Sequence, residues 1–448
     1  MVRKELFMDG ASPLYDRLIQ HEALERASFH TPGHKGRFFS PDLLRVDYTE
    51  LPDTDALYEA SDVIFRTEQR AAELFGAGRS LISAGGCSLA IQAMLRLASM
   101  RGGRILCARN AHRSAVNAMA LLGIDPVWLM PDGGNGYTGR ISPENVRAAF
   151  EACPGITACY ITSPSYYGEL CDIGAISGIC HEYGALLLVD NAHGSHLAFL
   201  RENRHPLALG ADMTACSLHK TLPVLTGGAL LNIAGNIPAQ EAKQAMALFG
   251  STSPSYIIMS SIDLCVTYMN GMGREDYRRC EDTVAGLRMI ADKRGIPRPG
   301  GECDPLRLTL NTAAVGLTGQ AQQEYFEGCG IDCEFCDGEN AVLIVTPFNT
   351  DGDIERVRRA ILDMPISAPV TGRHEGFVLP EKKMTLREAV LSPSEEVSIL
   401  CAAGRTAADT ACPCPPGVPL IMPGEEISPE TAELMHDKGI ERIRTVKC

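Results

Sequence analysis

From residue 80 to residue 216, short apolar runs alternate with stretches whose apolar positions recur every three or four residues. The runs at 80–83, 104–107, 126–129, 156–161 and 186–189 predict strands, and the helical spacing over 89–100, 115–122, 143–152 and 176–183 predicts helices between them. The runs are apolar throughout rather than alternating, so these strands are expected to be buried on both faces. Strands and helices in strict alternation predict an α/β fold, a mostly parallel sheet covered by helices. In such sheets ligands bind outside the carboxyl ends of the strands. After about residue 300 the rhythm resets. Strands at 306–310 and 341–345, with helices at 320–329 and 354–362, predict a smaller α+β unit. Residues 1–30 read as a helical arm, with Leu14, Leu18 and Ile19 at helical spacing. A helix over 61–76 ends at Gly76-Ala77-Gly78. A polar linker occupies 366–378, and the tail holds one Pro/Gly-dense loop at 412–424. The expected division is an arm (1–55), a large domain (56–299), a small domain (300–368) and a C-terminal domain (369–448).

A chain of 448 residues exceeds what one core organises, which agrees with several domains. No apolar run reaches eighteen residues, and no basic start leads into an apolar stretch, so neither a membrane span nor a secretory signal is expected. The cytoplasm is the expected compartment. The net charge of −14, without a basic stripe, argues against nucleic acid and anionic membranes as partners. The 17 cysteines are scattered, and Cys107, Cys159 and Cys265 sit inside apolar segments, where a thiol behaves as a small hydrophobe. Cys333-Glu334-Phe335-Cys336 and Cys412-Pro413-Cys414 raise the question of zinc. Neither has the matching second pair that a structural site requires, so reduced thiols and no metal are expected.

Candidate chemistry collects at the predicted strand ends. The run 186–189 leads into Asp190-Asn191-Ala192-His193-Gly194, and 211–217 leads into Leu218-His219-Lys220. A carboxylate and a lysine at neighbouring strand ends form the pair that pyridoxal phosphate chemistry uses. The amine condenses with the aldehyde, and the acid keeps the pyridine nitrogen protonated. The same residues also suit a helix N-cap and a solvated surface lysine. Gly85-Gly86-Cys87-Ser88 opens a helix after a strand, the arrangement in which backbone N–H groups bind a phosphate. His112, in Arg109 to Ser114, is placed to stack on an aromatic ring, or to serve as a loop hydrogen-bonding group. Thr162 to Glu169 supplies hydroxyls and a turn at another strand end, and Ser251 to Tyr256 is a polar stretch outside the rhythm.

These pieces together resemble the Orn/Lys/Arg decarboxylase family of fold type I pyridoxal phosphate enzymes, in the short bacterial form without an N-terminal wing domain. The resemblance spans nearly the whole chain. It is carried by Thr31-Pro32-Gly33-His34-Lys35, Asp47 to Leu57, Arg109 to Ser114, Ser163 to Asp172, Val189 to His196, Ser217 to Pro223, Thr252 to Tyr256, and Pro415 to Pro419 with Pro423-Gly424-Glu425. It implies Lys220 as the Schiff-base lysine, Asp190 as partner of the pyridine nitrogen, and His112 stacked on the ring. Ala192 and His193 would line the opposite face and the O3′ side. Gly86, Cys87, Ser88, Ser217 and His219 would hold the phosphate, with Thr252 arriving from a second subunit of a homodimer. Lys220 or His219 would return a proton to Cα once CO2 has left. Glu425 and Glu50 are candidates for holding a cationic side chain.

The expected reaction is decarboxylation of lysine or arginine, with ornithine third. Two rivals stand beside it: an aminotransferase or β-eliminating lyase, for which Arg307 would clamp the α-carboxylate, and a cofactor-binding homologue without activity. The chain departs from the family pattern at Gly85 and Cys87, where Asn and a hydroxyl residue are usual. That removes a hydrogen bond worth about 1 kcal/mol. It departs again at Asn191, in place of Glu, and at Cys414, in place of an aromatic residue.

Overall fold

The computed structural model describes residues 23–132, 139–370, 379–412 and 419–447. The first short strand, β1 (Ala27–Phe29), pairs in parallel with a strand more than three hundred residues away. The expected helical arm therefore does not extend through these residues, because Ala27 and Phe29 bury alternately against the small domain, a two-residue period rather than a helical one. Leu14, Leu18 and Ile19 lie outside the described residues.

The large domain is a seven-stranded sheet made of β2 (Arg79–Ser83), β3 (Arg104–Ala108), β4 (Val127–Leu129), β5 (Ile156–Thr162), β6 (Leu186–Asp190), β7 (Met213–Cys216) and β8 (Ala229–Ile233). Their order across the sheet is β2-β8-β7-β6-β5-β3-β4. Every pairing is parallel except those of β8, which runs against both β2 and β7. All five residues of β6 are buried, as its uninterrupted Leu-Leu-Leu-Val demands. Register sets the active end of the sheet. Thr162 stands opposite Asp190, and Asp190 opposite Ala215, so three strand ends finish level.

β8 went unread in the sequence because its apolar run follows the turn Thr226-Gly227-Gly228 directly, without the long helix that separates the other strands. In the fold that turn reverses the chain, so Ala229 to Ile233 fills the slot between β2 and β7. Apolar clusters cover both faces of the sheet, built on one side from the helix Gly86–Ser99 and on the other from the helix Ile173–Glu182.

The smaller unit holds β9 (Arg307–Asn311), β10 (Ile331–Cys333), β11 (Phe335–Cys336) and β12 (Asn340–Ile344). An antiparallel sheet forms in the order β11-β12-β9, and β10 is the partner of β1. The helix Asp351–Asp363 starts with a capping box, in which Thr350 and Asp353 each bond the other's backbone N–H. In the C-terminal region β13 (Ser394–Ser398) pairs with β14 (Arg442–Val446). Beneath them Ile399, Ile421, Ile427, Met435 and Ile443 form a compact cluster. The Pro/Gly-dense loop is partly structural. Its residues 413–418 lie outside the description, but Leu420, Ile421 and Met422 are fully buried. Among the described residues no helix is long and apolar enough to cross a membrane.

Candidate active site

A cavity of about 310 Å³ opens at the carboxyl ends of β5, β6 and β7. Asp190 enters it from the end of β6, 2% exposed, with its carboxylate fixed on both oxygens. Oδ1 accepts from the Ala192 N–H at 3.1 Å, and Oδ2 accepts from the Tyr160 hydroxyl at 3.1 Å. Lys220 enters from the one-turn helix Leu218–Thr221 just beyond β7. Its Nζ lies 2.9 Å from His193 Nε2 and 6.0 Å from the centre of the Tyr166 ring. Burial is the largest cause pulling the Lys220 amine below the ordinary lysine range, and the carboxylate of Asp190 pulls the other way.

The turn carrying Lys220 is clamped from outside. The Gly33 N–H donates to the His219 carbonyl at 2.8 Å, and a Cβ at 33 would stand 2.7 Å from the Leu222 carbonyl oxygen. Only glycine permits that approach, so the Thr31 to Lys35 loop presses directly on the lysine-bearing turn. Lys35, behind this loop, bonds the His30 carbonyl, and burial brings its amine down to about 7. His219 Nδ1 sits 3.2 Å from both the Gly228 carbonyl and Ser217 Oγ. A carbonyl only accepts, so Nδ1 carries the imidazole proton and Nε2 is free to accept.

On the opposite wall the helix Gly86–Ser99 points its N-terminus at the cavity, and Gly86, Cys87 and Ser88 line it. Gly86 has φ of +72°, a turn that only glycine makes without strain, and its N–H is tied to the Gly227 carbonyl at 2.8 Å. His112 also lines the cavity. Its Nδ1 accepts from the Ser114 N–H at 3.2 Å, which caps the helix Arg113–Leu122 and fixes the ring. Thr162 Oγ1 is buried on the cavity wall without a hydrogen-bond partner.

The model of the Orn/Lys/Arg decarboxylase major domain matches residues 12–298, and that of the family's C-terminal domain matches 376–436. The uncharacterized protein YaaO of Bacillus subtilis is 32% identical, covering 94% of this chain and 93% of its own. The arginine decarboxylase of the same organism is 28% identical over 94% of this chain and 92% of its own. Among solved structures, the constitutive lysine decarboxylase of Escherichia coli superposes with a TM-score of 0.74 at 19% identity, covering 98% of this chain and 85% of its own. The chain belongs to the Orn/Lys/Arg decarboxylase family.

The fold thus brings Lys220, His219, Ser217, Asp190, Ala192, His193, His112, Gly86, Cys87 and Ser88 of this family member around one cavity. Three other candidates stand elsewhere. Thr252 is exposed on the segment before the helix Tyr256–Tyr268, away from the cavity of its own chain. Glu50 lies in an outer loop, bonded to the Thr49 hydroxyl. Glu425 is 3% exposed with Oε2 2.7 Å from Arg109 Nη2, so the structure uses it as the counter-ion of a buried arginine.

The departure at Asn191 also has a structural account. Its Nδ2 donates to the Ser163 carbonyl at 2.8 Å, and its Oδ1 receives the Cys216 thiol at 3.5 Å, a fit that a longer carboxylate would break. Cys414 lies outside the described residues. Tyr160 escaped notice in the sequence because it reads as one more apolar strand position. Only the register of β5 on β6 sets its hydroxyl beside Asp190.

Proposed function

We propose that this chain binds pyridoxal phosphate in the cavity at Lys220 and decarboxylates a basic L-amino acid, arginine or lysine ahead of ornithine. The observation that carries the reading is a lysine and a doubly fixed aspartate entering one cavity from adjacent strand ends, in a chain of this family. The residues fit the cofactor. A helix N-terminus with Ser88, joined by Ser217 and His219, suits a phosphate, and the unpartnered Thr162 Oγ1 suits a polar group of the ring. The name of the Bacillus subtilis relative at 28% identity favours arginine.

When bound, the cofactor supplies an aldehyde for Lys220 and a ring that takes up the electron pair left as CO2 departs. Asp190 would keep a proton on the ring nitrogen, its own orientation held by Tyr160 and Ala192. His112 would stack on one ring face, with Ala192 and His193 on the other side. Lys220 Nζ, or His219 beside it once Nε2 has taken up a proton, would deliver the proton that replaces the lost carboxylate at Cα. The acidic chain is read as a cytoplasmic homodimer, with Thr252 completing the partner's site. Exposed Val46, Tyr48 and Leu264, which line one surface groove, support that assembly.

The test is to incubate purified protein and pyridoxal phosphate with twenty amino acids and identify products by mass. Agmatine or cadaverine with matching CO2 is the expected result. Keto acids without CO2 would point to an aminotransferase instead.

A further inference from the structure

Arg307 opens β9 in the small domain, yet its guanidinium ends against the large-domain loop that follows β6. Its side chain is 1% exposed. The stem passes through a gap left by Gly168, where a Cβ would stand 2.8 Å from both Cβ and Cγ of the arginine. Behind the guanidinium, Asp304 Oδ2 lies 3.9 Å from Nε, while Asp304 Oδ1 is held 2.7 Å from His196 Nε2. In front, Nη2 lies 3.3 Å from His193 Nδ1, and the other ring nitrogen of His193 faces Lys220 Nζ at 2.9 Å. The Tyr166 ring packs on the imidazole at 4.6 Å, and its carbonyl accepts from Nη1 at 3.4 Å.

Nη2 carries two N–H groups, one toward the His193 carbonyl at 3.5 Å and one toward Nδ1, and the donor inventory then runs one way. A guanidinium only donates, so His193 Nδ1 must accept. A neutral imidazole that accepts at Nδ1 carries its proton on Nε2. That N–H points at Lys220, which must answer with a lone pair, as a neutral amine. An ammonium there would set one donor against another.

We propose that Arg307 is a positioning residue that fixes the Nε2–H tautomer of His193 and through it presents Lys220 as an unprotonated amine. The groups around Lys220 balance accordingly. Cys87, Asp190 and Glu334 favour its ammonium form, and burial and Arg307 oppose it. His193 is kept neutral by burial first, and the Arg307 guanidinium adds to it. A lysine poised in this way captures an aldehyde at neutral pH, where an ordinary lysine is almost wholly protonated. The inference rests on reading Lys220 as the aldehyde-capturing residue, but its test does not require turnover.

The full-length protein, freed of bound aldehyde, is labelled with 15N-histidine, and a His193→Gln sample assigns the His193 signals. A protonated Nε2 and an unprotonated Nδ1 are expected. Pulse acetylation with mass spectrometry then gives the pH midpoint of Lys220 labelling. Arg307→Met is expected to raise that midpoint by about one pH unit, a tenfold slower reaction below it, and Arg307→Lys to restore part of the shift. A proton on Nδ1 in the unaltered protein, or an unmoved midpoint in Arg307→Met, overturns the proposal. The first measurement needs no variant to fold. Finding the expected tautomer in a protein that releases no CO2 would sink decarboxylation alone.

Discussion

Two basic side chains stand at the same edge of the large sheet, and they have opposite fates. Arg109 follows β3, is fully buried, and meets Glu425 at 2.7 Å, so a strand end and the C-terminal region are pinned together by a closed ion pair. Lys220 follows β7 and opens onto the cavity. Among the described residues no carboxylate lies within ion-pair distance of its Nζ, and its near neighbour is a histidine. A buried charge with a full partner is inert and holds two pieces of chain in register. A partly buried amine without one is pushed toward its neutral, nucleophilic form. The difference lies in the partner, not in the strand end.

Replacing each basic residue breaks the comparison most sharply. Lys220→Ala is expected to abolish amine formation, a loss on the order of 10³-fold or more, while thermal unfolding stays near that of the parent. Unfolding at markedly lower temperature would make Lys220 a structural residue. Arg109→Ala leaves Glu425 buried and unpaired, so a loss of about 3–5 kcal/mol in denaturant unfolding is expected. A loss under 1 kcal/mol would show the pair to be dispensable.

Lys35 sharpens the contrast through pH. Its folded-state value of about 7 lies below the ordinary 10.5, so the unfolded chain binds more protons between these limits. Stability should therefore rise from pH 7 to pH 9 by about 1 kcal/mol per unit, and the slope should vanish below pH 7, where both states hold the proton. Lys35→Met should remove that slope, which urea unfolding at several pH values will read. The smallest effect is expected from Tyr160→Phe. Loss of its bond to Asp190 should cost about 1 kcal/mol, read as a several-fold slower decarboxylation with the fold intact.

The alternating rhythm of the large domain was legible because strands buried on both faces need unbroken apolar runs, and residues 186–189 supply one. Motifs at the ends of those runs pointed to Asp190, Lys220 and the Gly86 turn for the same reason. β8 was not legible, since its run at 229–233 follows β7 without the long helix that separates the other strands, and its place in the sheet depends on a reversal at Gly227-Gly228. Glu425 misled because a carboxylate in a loop gives no sign of whether it will meet a substrate or an arginine 316 positions earlier. Tyr160 carried no local signal either, because it looks like core. Arg307 was read only as a carboxylate clamp in the rival enzyme classes, since nothing near it in the sequence points to His193.

The order of strands and helices, and which side chains leave strand ends, were set by the sequence through periodicity, which is a local property of the backbone. Which of those side chains meet was decided only by the folded chain. Register set Thr162, Asp190 and Ala215 level, and the gap at Gly168 let Arg307 through to His193. Contacts between residues a hundred or more apart depend on packing geometry to a fraction of an ångström, and no pattern along the chain encodes that distance.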